Sequence, residues 1–103
     1  MEWKGYDNKG EEVYEIKDGK GYIKEYNYYG ELIFEGEYLN GERNGKGIEY
    51  SLTITDDFLN RYKTIIIFEG EYLNGKRNGK GKEYYEDGKI KFEGEYLKGQ
   101  RKN

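Results

Sequence analysis

The chain has 103 residues, a length that supports one small domain. Only 34% of its residues are hydrophobic and 38% are charged. Its 13 tyrosines can nevertheless bury their rings, and its 16 glycines recur periodically, so we predict an ordered chain. The lack of cysteine and histidine excludes disulfide bonds, thiolate chemistry and the commonest general base and metal ligand. The net charge of −3 argues against nucleic acid as a partner.

The N-terminal third predicts degenerate repeat units. The start at Met1 is charged and has no signal-peptide pattern, and no apolar run approaches a membrane span, so we expect a cytoplasmic location. Residues 19–21 read Gly-Lys-Gly, as do residues 45–47, and an earlier unit of the same kind begins at Trp3. We therefore interpret residues 1–33 as degenerate units.

The rest of the chain is a tandem repeat. Residues 34–47 read Phe-Glu-Gly-Glu-Tyr-Leu-Asn-Gly-Glu-Arg-Asn-Gly-Lys-Gly, and residues 68–81 differ from them at one position, where Lys76 replaces Glu42. The same opening begins again at Phe92. We predict a single domain over 1–103 in which the degenerate units precede a unit at 34–67 with an insertion at 48–67, a unit at 68–91 and a half-unit at 92–103.

Each clear unit begins with a strand pattern of period two. Phe68, Gly70 and Tyr72 face one side of the predicted strand, and Glu69 and Glu71 face the other. A glycine between two aromatic residues leaves room for a ring to lie across the strand. We predict that the aromatic residues at these positions stack from unit to unit as the core, namely Phe34, Tyr38, Phe68, Tyr72, Phe92 and Tyr96.

Short turns join the predicted strands. The Asn-Gly pairs at 74–75 and 78–79 supply the positive φ that reverses a chain, and a second strand is predicted at 80–85. Asp87 and Gly88 then lead back to the next unit. These links predict an all-β fold, an elongated, twisted, single-layer antiparallel meander of tandem β-hairpin repeats. The alternative is a compact half-barrel, formed if the short N-terminal units curl the sheet.

The motif Gly-Glu-Tyr-x-x-Gly-x-x-x-Gly-x-Gly, at residues 36–47 and 70–81, resembles the MORN repeat (membrane occupation and recognition nexus). The aromatic residue that follows Gly-Glu in that family is tyrosine in the copies found here. The resemblance implies an elongated β-meander that acts as a non-catalytic scaffold, often in cytoskeletal or membrane-associated assemblies. Residues 82–85, Lys-Glu-Tyr-Tyr, are also similar to a bacterial variant that occurs in antitoxin or immunity proteins.

Pairs of glutamates recur on the face opposite the aromatic residues: Glu35 and Glu37, Glu69 and Glu71, and Glu93 and Glu95. A glycosidase needs two carboxyl groups in different environments at a cleft, whereas these pairs form a uniform stripe. We expect them to pair with lysines of adjacent strands, namely Lys82, Lys89 and Lys91. The Gly-Lys-Gly-Lys segment at 79–82 lacks the remaining parts of a phosphate-binding loop. We predict no catalytic residue, no metal site and no cofactor, so the chain is not expected to be an enzyme.

The insertion is the feature that repetition does not explain. Its β-prone arms at 51–55 and 63–67 predict an overlong hairpin, which either folds back over the sheet as extra core or projects to contact a partner. Its candidate partner-binding residues are Leu52, Ile54, Phe58, Leu59 and Tyr62. Outside it, the candidates are the tyrosines predicted to be exposed, namely Tyr28, Tyr29, Tyr84 and Tyr85.

Basic residues near the turns are candidates for contact with lipid headgroups, namely Arg43, Arg77 and Lys80. A charge-dense lipid site usually needs about four to eight basic residues, whereas each turn here offers about two or three that are offset by glutamates. We therefore expect a protein partner in preference to acidic phospholipid.

The sequence is compatible with two functions: a scaffold or protein-interaction module, which the Phe-Glu-Gly-Glu-Tyr-Leu core favours, and an antitoxin-like inhibitor of a toxin. The sequence ends at Asn103, before a counterpart of the return strand at 80–85. This predicts an open edge at the strand 92–97, through which two copies of the chain could associate.

Overall fold

A computed structural model describes the chain at residues 3–6, 12–17, 19–56, 58–59 and 61–102. The remaining positions lie outside the described residues. They include residues 1–2 and part of the tip of the insertion. The strands are β1 Trp3–Tyr6, β2 Glu12–Lys17, β3 Lys20–Tyr26, β4 Leu32–Leu39, β5 Glu42–Asp56, β6 Arg61–Leu73, β7 Lys76–Tyr84, β8 Ile90–Leu97 and β9 Gln100–Arg101. Within these ranges no helix is long and apolar enough to cross a membrane.

The described strands form one antiparallel sheet in which their spatial order is their order in the chain. The principal-axis extents are 47 × 37 × 16 Å, which fits a single layer of strands that curls into a half-barrel. The predicted all-β, single-layer meander is confirmed. The half-barrel, which was the alternative architecture, is the shape of this same layer. The sheet curls because twist accumulates from strand to strand.

Three equivalent turns close the hairpins of the clear units. Asn40 and Gly41 have φ of 50° and 84°, and Asn74 and Gly75 have 52° and 84°. Positive φ at both central residues matches the right-handed twist of the flanking strands. Lys98 and Gly99 make the third turn. Each turn is also tied to the preceding unit through a backbone hydrogen bond, as in Gly75 N–H to Arg43 O at 2.9 Å.

The second Asn-Gly pair of the unit does not reverse the chain, so that prediction is wrong. Asn78 and Gly79 lie inside β7, which therefore begins at Lys76 instead of Lys80. Gly79 has φ of 102° and the register shifts there, so the pair forms a β-bulge. The carboxylate of Glu71 accepts the N–H of Lys80 at 3.2 Å and satisfies the donor that the bulge frees.

A row of glycines crosses the middle of the sheet, each opposite the next in register: Gly36, Gly47, Gly70, Gly81 and Gly94. The phenylalanine rings lie over this row. A Cβ atom at Gly47 would meet the ring of Phe34 at 2.6 Å, and one at Gly81 would meet the ring of Phe68 at 2.6 Å. The predicted space for rings is confirmed, and the glycines are required because any side chain there would displace a ring.

The core consists of these rings and the tyrosines of the following unit. Phe34 and Phe68 are fully buried, and Tyr72 and Tyr96 are nearly so. Phe34 meets Tyr72 edge to face with centroids 5.3 Å apart, and Phe68 meets Tyr96 in the same way at 5.2 Å. Tyr38 and Phe92 pack against this cluster. The predicted core is confirmed, and its edge-to-face contacts suit the ring quadrupoles.

The C-terminal edge is less open than predicted. Tyr96 and Leu97 of β8 pair with the short return strand β9, and the N–H of Lys102 donates to the carbonyl oxygen of Glu95 at 2.8 Å. The return strand therefore begins as in the preceding unit, where Tyr72 pairs with Arg77. Association of two copies through this edge stays a prediction.

Replacement of a glycine in this row tests the packing. A Cβ at Gly70 would lie 2.6 Å from the backbone of the adjacent strand, whereas the nearest atoms to a Cβ at Gly94, the equivalent residue, belong to the ring of Phe92 at 2.9 Å. A ring can shift and backbone cannot, so Gly70→Ala should lower the free energy of unfolding by about 3 kcal/mol and Gly94→Ala by about 1 kcal/mol. Urea denaturation measures both, and equal losses would contradict the proposed packing.

Candidate interaction surface

The sheet has two chemically different faces. The aromatic face carries the core rings, and their edges are covered by a repeated arrangement that we call the Tyr–Glu–Arg triad. In each triad a tyrosine hydroxyl and an arginine guanidinium donate to one carboxylate that lies on a neighbouring strand. The triads are Tyr38–Glu25–Arg43, Tyr72–Glu49–Arg77 and Tyr96–Glu83–Arg101.

Each triad also covers a core ring. The guanidinium carbon of Arg77 lies 4.0 Å from the ring centroid of Phe68, and that of Arg43 lies 3.9 Å from the centroid of Phe34. The Nε of Arg77 donates to Glu49 at 2.8 Å. One arginine therefore binds a carboxylate through its donors and a ring through its flat face, a combination that suits guanidinium.

The triads lower the pKa of two of their carboxylates, Glu49 and Glu83. The pKa of Glu83 is lowered to about 2, mainly by the hydrogen bond from Arg101. Burial opposes this change, and the hydrogen bond from Tyr96 lowers the pKa further. Burial and the neighbouring Glu83 raise the pKa of Tyr96 to about 12. Neither group therefore changes its protonation state near neutral pH, so general acid–base catalysis is not the expected role of this triad.

Two of the three lipid-headgroup candidates are members of these triads. The guanidinium groups of Arg43 and Arg77 are bound to carboxylates of this chain. Lys80 lies on the other face of the sheet, where its backbone N–H donates to Glu71. The structure therefore does not bring the three candidates together as one basic patch.

The opposite face is a groove of about 800 Å³ that runs across β4 to β8, and we call it the groove face. Its floor is the backbone of the glycine row, and its walls carry six glutamates and three lysines: Glu35, Glu37, Glu69, Glu71, Glu93, Glu95, Lys46, Lys80 and Lys82. Of the lysines predicted to pair with the glutamates, Lys82 does so, with its Nζ 3.7 Å from Glu93. No ion pair of Lys89 or Lys91 occurs in the described part of the chain.

Among the residues that line the groove, the two clear units differ at one position. Lys82 lies opposite Glu69 on one side and Glu93 on the other. Its counterpart in the preceding unit is Ile48, which lies opposite Glu35 and Glu69. The groove therefore contains an apolar residue between two carboxylates where the repeat places a cation.

Tyrosine hydroxyls flank this position. Glu35 accepts the hydroxyl groups of Tyr22 at 3.0 Å and Tyr50 at 2.5 Å, and Glu69 accepts that of Tyr84 at 2.6 Å. Tyr84 was predicted to be an exposed candidate beside Tyr85, but it is half-buried on the groove face and bound to Glu69. Tyr85 is exposed in the following turn, with the Nζ of Lys91 5.9 Å from its ring centroid.

The insertion extends β5 and β6 into one long hairpin, so the projecting arrangement is the one observed. Tyr50 pairs with Ile66, Leu52 with Thr64 and Ile54 with Tyr62. Residues opposite each other share a face, and the bond from Tyr50 to Glu35 identifies it as the groove face. We call its apolar residues the hairpin stripe: Tyr50, Leu52, Ile54, Tyr62 and Ile66. All except Tyr50 are among the exposed large hydrophobic residues.

Most of the remaining candidate residues lie at one end of the sheet. Because the strands alternate in direction, the β3–β4, β5–β6 and β7–β8 turns all lie at this end. Tyr28 and Tyr29 are exposed in the first turn, with their rings 5.4 Å apart, and Phe58 and Leu59 are exposed at the tip of the insertion. The structure thus brings three hairpin candidates, Leu52, Ile54 and Tyr62, onto one surface, places Phe58 and Leu59 at the tip of the same hairpin and leaves the first tyrosine pair on a separate turn.

Sequence reasoning missed Ile48, Glu35 and Glu69 as a feature of the groove. The signal was present in the sequence, because the position that is Lys82 in one unit is Ile48 in the other. Its meaning depended on the register, which places both carboxylates opposite that position. In the described ranges no group of acidic residues is arranged to hold a metal ion.

Comparison with known proteins identifies the repeat. The family model of the MORN repeat matches residues 34–51 and 68–90. Searches of the curated proteins and of the solved structures found no match. The chain therefore contains MORN repeats at these residues. MORN repeats generally mediate protein or membrane-lipid interactions and are typically non-catalytic modules.

The last triad makes a prediction about acid. The pKa of Glu83 is about 2 in the folded chain against the ordinary 4.5, so its contribution to stability is fully present above about pH 4.5 and is lost as the pH falls through 2. Glu83→Gln should therefore lose most stability relative to the unmodified protein near neutral pH and progressively less toward pH 2. Urea denaturation across this range measures the difference.

The control is Glu86→Gln, which removes an exposed carboxylate from the β7–β8 turn and should change the unfolding free energy little. A constant difference between Glu83→Gln and the unmodified protein from neutral pH to pH 2 would contradict the assigned role of the triad.

Proposed function

We propose that this chain, which contains MORN repeats, is a non-catalytic protein-binding module whose contact surface includes the hairpin stripe. The observation that carries the proposal is the exposure of Leu52, Ile54 and Ile66 on one face of a hairpin that projects from the repeat. Apolar side chains that are grouped and exposed on a small protein usually mark a site of contact.

The hairpin is amphipathic, which supports a contact surface over an accidental exposure. Its other face pairs Ser51 with Ile65 and Thr53 with Lys63 and is therefore mainly polar. A sheet with one apolar and one polar face normally covers the apolar one. Because burial of one large apolar side chain contributes about 1.5–3 kcal/mol, a few such contacts suffice to anchor a partner.

The rest of the repeat supports a scaffold without catalysis. Its buried or half-buried carboxylates accept hydrogen bonds from tyrosines and arginines, and the same arrangement recurs in every clear unit. An active site requires one group in an environment unlike that of its counterparts. No comparison favours the inhibitor alternative.

Matched variants of the hairpin test the proposal. The immobilised chain should capture a protein from the lysate of its native host, which mass spectrometry then identifies and which is purified for measurement of its affinity. Ile54→Ser should weaken binding at least about tenfold, equivalent to about 1.4 kcal/mol, because it removes an apolar anchor.

The control Lys63→Ser removes a long exposed side chain from the other face of the same hairpin at the adjacent register position. It should leave the affinity within about twofold, since exposed polar contacts contribute little. Equal effects of the two substitutions, or no effect of Ile54→Ser, would show that the hairpin stripe is not the contact surface.

A further inference from the structure

The groove face has a position that the repeat would fill with a cation. In the 68–91 unit Lys82 stands between the strands that carry Glu69 and Glu93. In the 34–67 unit Ile48 takes that place between Glu35 and Glu69. The other residues of the two motifs that line the groove are the same in type, so this substitution is the local difference between the units.

The charges around Ile48 are not balanced by the described ion pairs. Glu35 and Glu69 accept tyrosine hydroxyl groups but form no ion pair among the described residues. Each carboxylate has one lysine opposite it on its other side, Lys24 on β3 for Glu35 and Lys82 on β7 for Glu69, but the ion pair of Lys82 is with Glu93. The groove as a whole is lined by six glutamates and three lysines, so a cationic ligand is attracted and an anionic one is repelled.

Ile48 also begins the apolar surface of the insertion. Successive residues on the same face of a strand are two apart, so Ile48 is followed on the groove face by Tyr50, Leu52 and Ile54. The hairpin stripe is therefore continuous with the position where the cation is missing. This continuity specifies a ligand that combines positive charge with apolar side chains.

We propose that the groove face binds a peptide segment of a protein partner that carries a lysine or arginine flanked by apolar residues. The cationic group lies over Ile48 between Glu35 and Glu69, as Lys82 lies between its own carboxylates, and the apolar residues pack on Leu52 and Ile54. This inference rests on the proposed function and adds to it the chemistry of the partner.

The size of the groove sets the length of the probe. From Ile48 to Ile54 the groove face follows β5 for six residues, about 20 Å, which an extended peptide of about six residues spans. A fluorescent synthetic peptide of about this length, in which one lysine is flanked by leucines, is the probe, and the same peptide with glutamate in place of the lysine is its control. Fluorescence anisotropy measures the affinity of the purified full chain for each.

The decisive variant is Ile48→Lys, which places the repeat's own cation in the groove. It should bind the lysine–leucine peptide at least about tenfold more weakly than the unmodified chain, because an internal ammonium group repels the ligand's charge. Its thermal stability should be equal or higher, since Lys82 is accommodated at the same place in the next unit. Ile48→Leu, the matched control, should bind within about twofold of the unmodified chain.

Glu69→Gln provides a second variant that keeps the shape of the site and removes one of the two charges. It should also weaken binding, and by less than Ile48→Lys. The proposal is overturned if the unmodified chain does not prefer the lysine–leucine peptide. It is also overturned if Ile48→Lys folds and binds that peptide as well as Ile48→Leu does, or if Ile48→Lys does not fold and Glu69→Gln binds normally.

The outcome separates this inference from the proposed function. Suppose that the captured partner loses affinity with Ile54→Ser but binds Ile48→Lys and Ile48→Leu equally. The hairpin then remains the contact surface, and the cationic segment is refuted. If neither pair of variants changes the affinity of the partner, the proposed function fails with it.

Discussion

The approach of phenylalanine rings to a row of glycine backbones is the constraint on which the rest of the structure depends. The ring of Phe68 lies so close to Gly81 that no side chain fits between them, and it is fully buried although the layer is only one strand thick. A single sheet has no second layer to cover its core. The triads supply that cover, since Arg77 and Tyr72 lie over and beside the ring.

The same arrangement explains how strands so rich in charge remain ordered. Each triad carboxylate, such as Glu49, has its charge balanced by an arginine and also accepts a tyrosine hydroxyl. Stability is then distributed between neighbouring units, as expected for a repeat protein. The groove face does not cover the core rings, so its residues can vary without loss of the core, as they do at Ile48.

The sequence was sufficient for the fold because its signals are local and repeated. Period-two alternation, the Asn-Gly pairs and the spacing of Phe34 and Phe68 predicted the strands, the first turn and the core. It misassigned Asn78 and Gly79, because one dipeptide serves as a turn or a bulge according to the register of the pairing strand. The site was less accessible for the same reason: the position of Ile48 between two carboxylates exists only after three strands have paired.

The turns at the two ends of the sheet differ in how freely they can change length. At the Asn-Gly end each turn is bound to the unit before it, as Gly75 is to Arg43. A longer loop there would break a contact on which the stacking of units depends. At the other end the β5–β6 hairpin grew by ten residues, the difference between the 34-residue and 24-residue repeats, while the register on either side was kept. Changes in hairpin length and sequence can therefore accumulate along one edge of such an array. Each hairpin can acquire its own specificity there, while the turns at the other edge keep the units stacked.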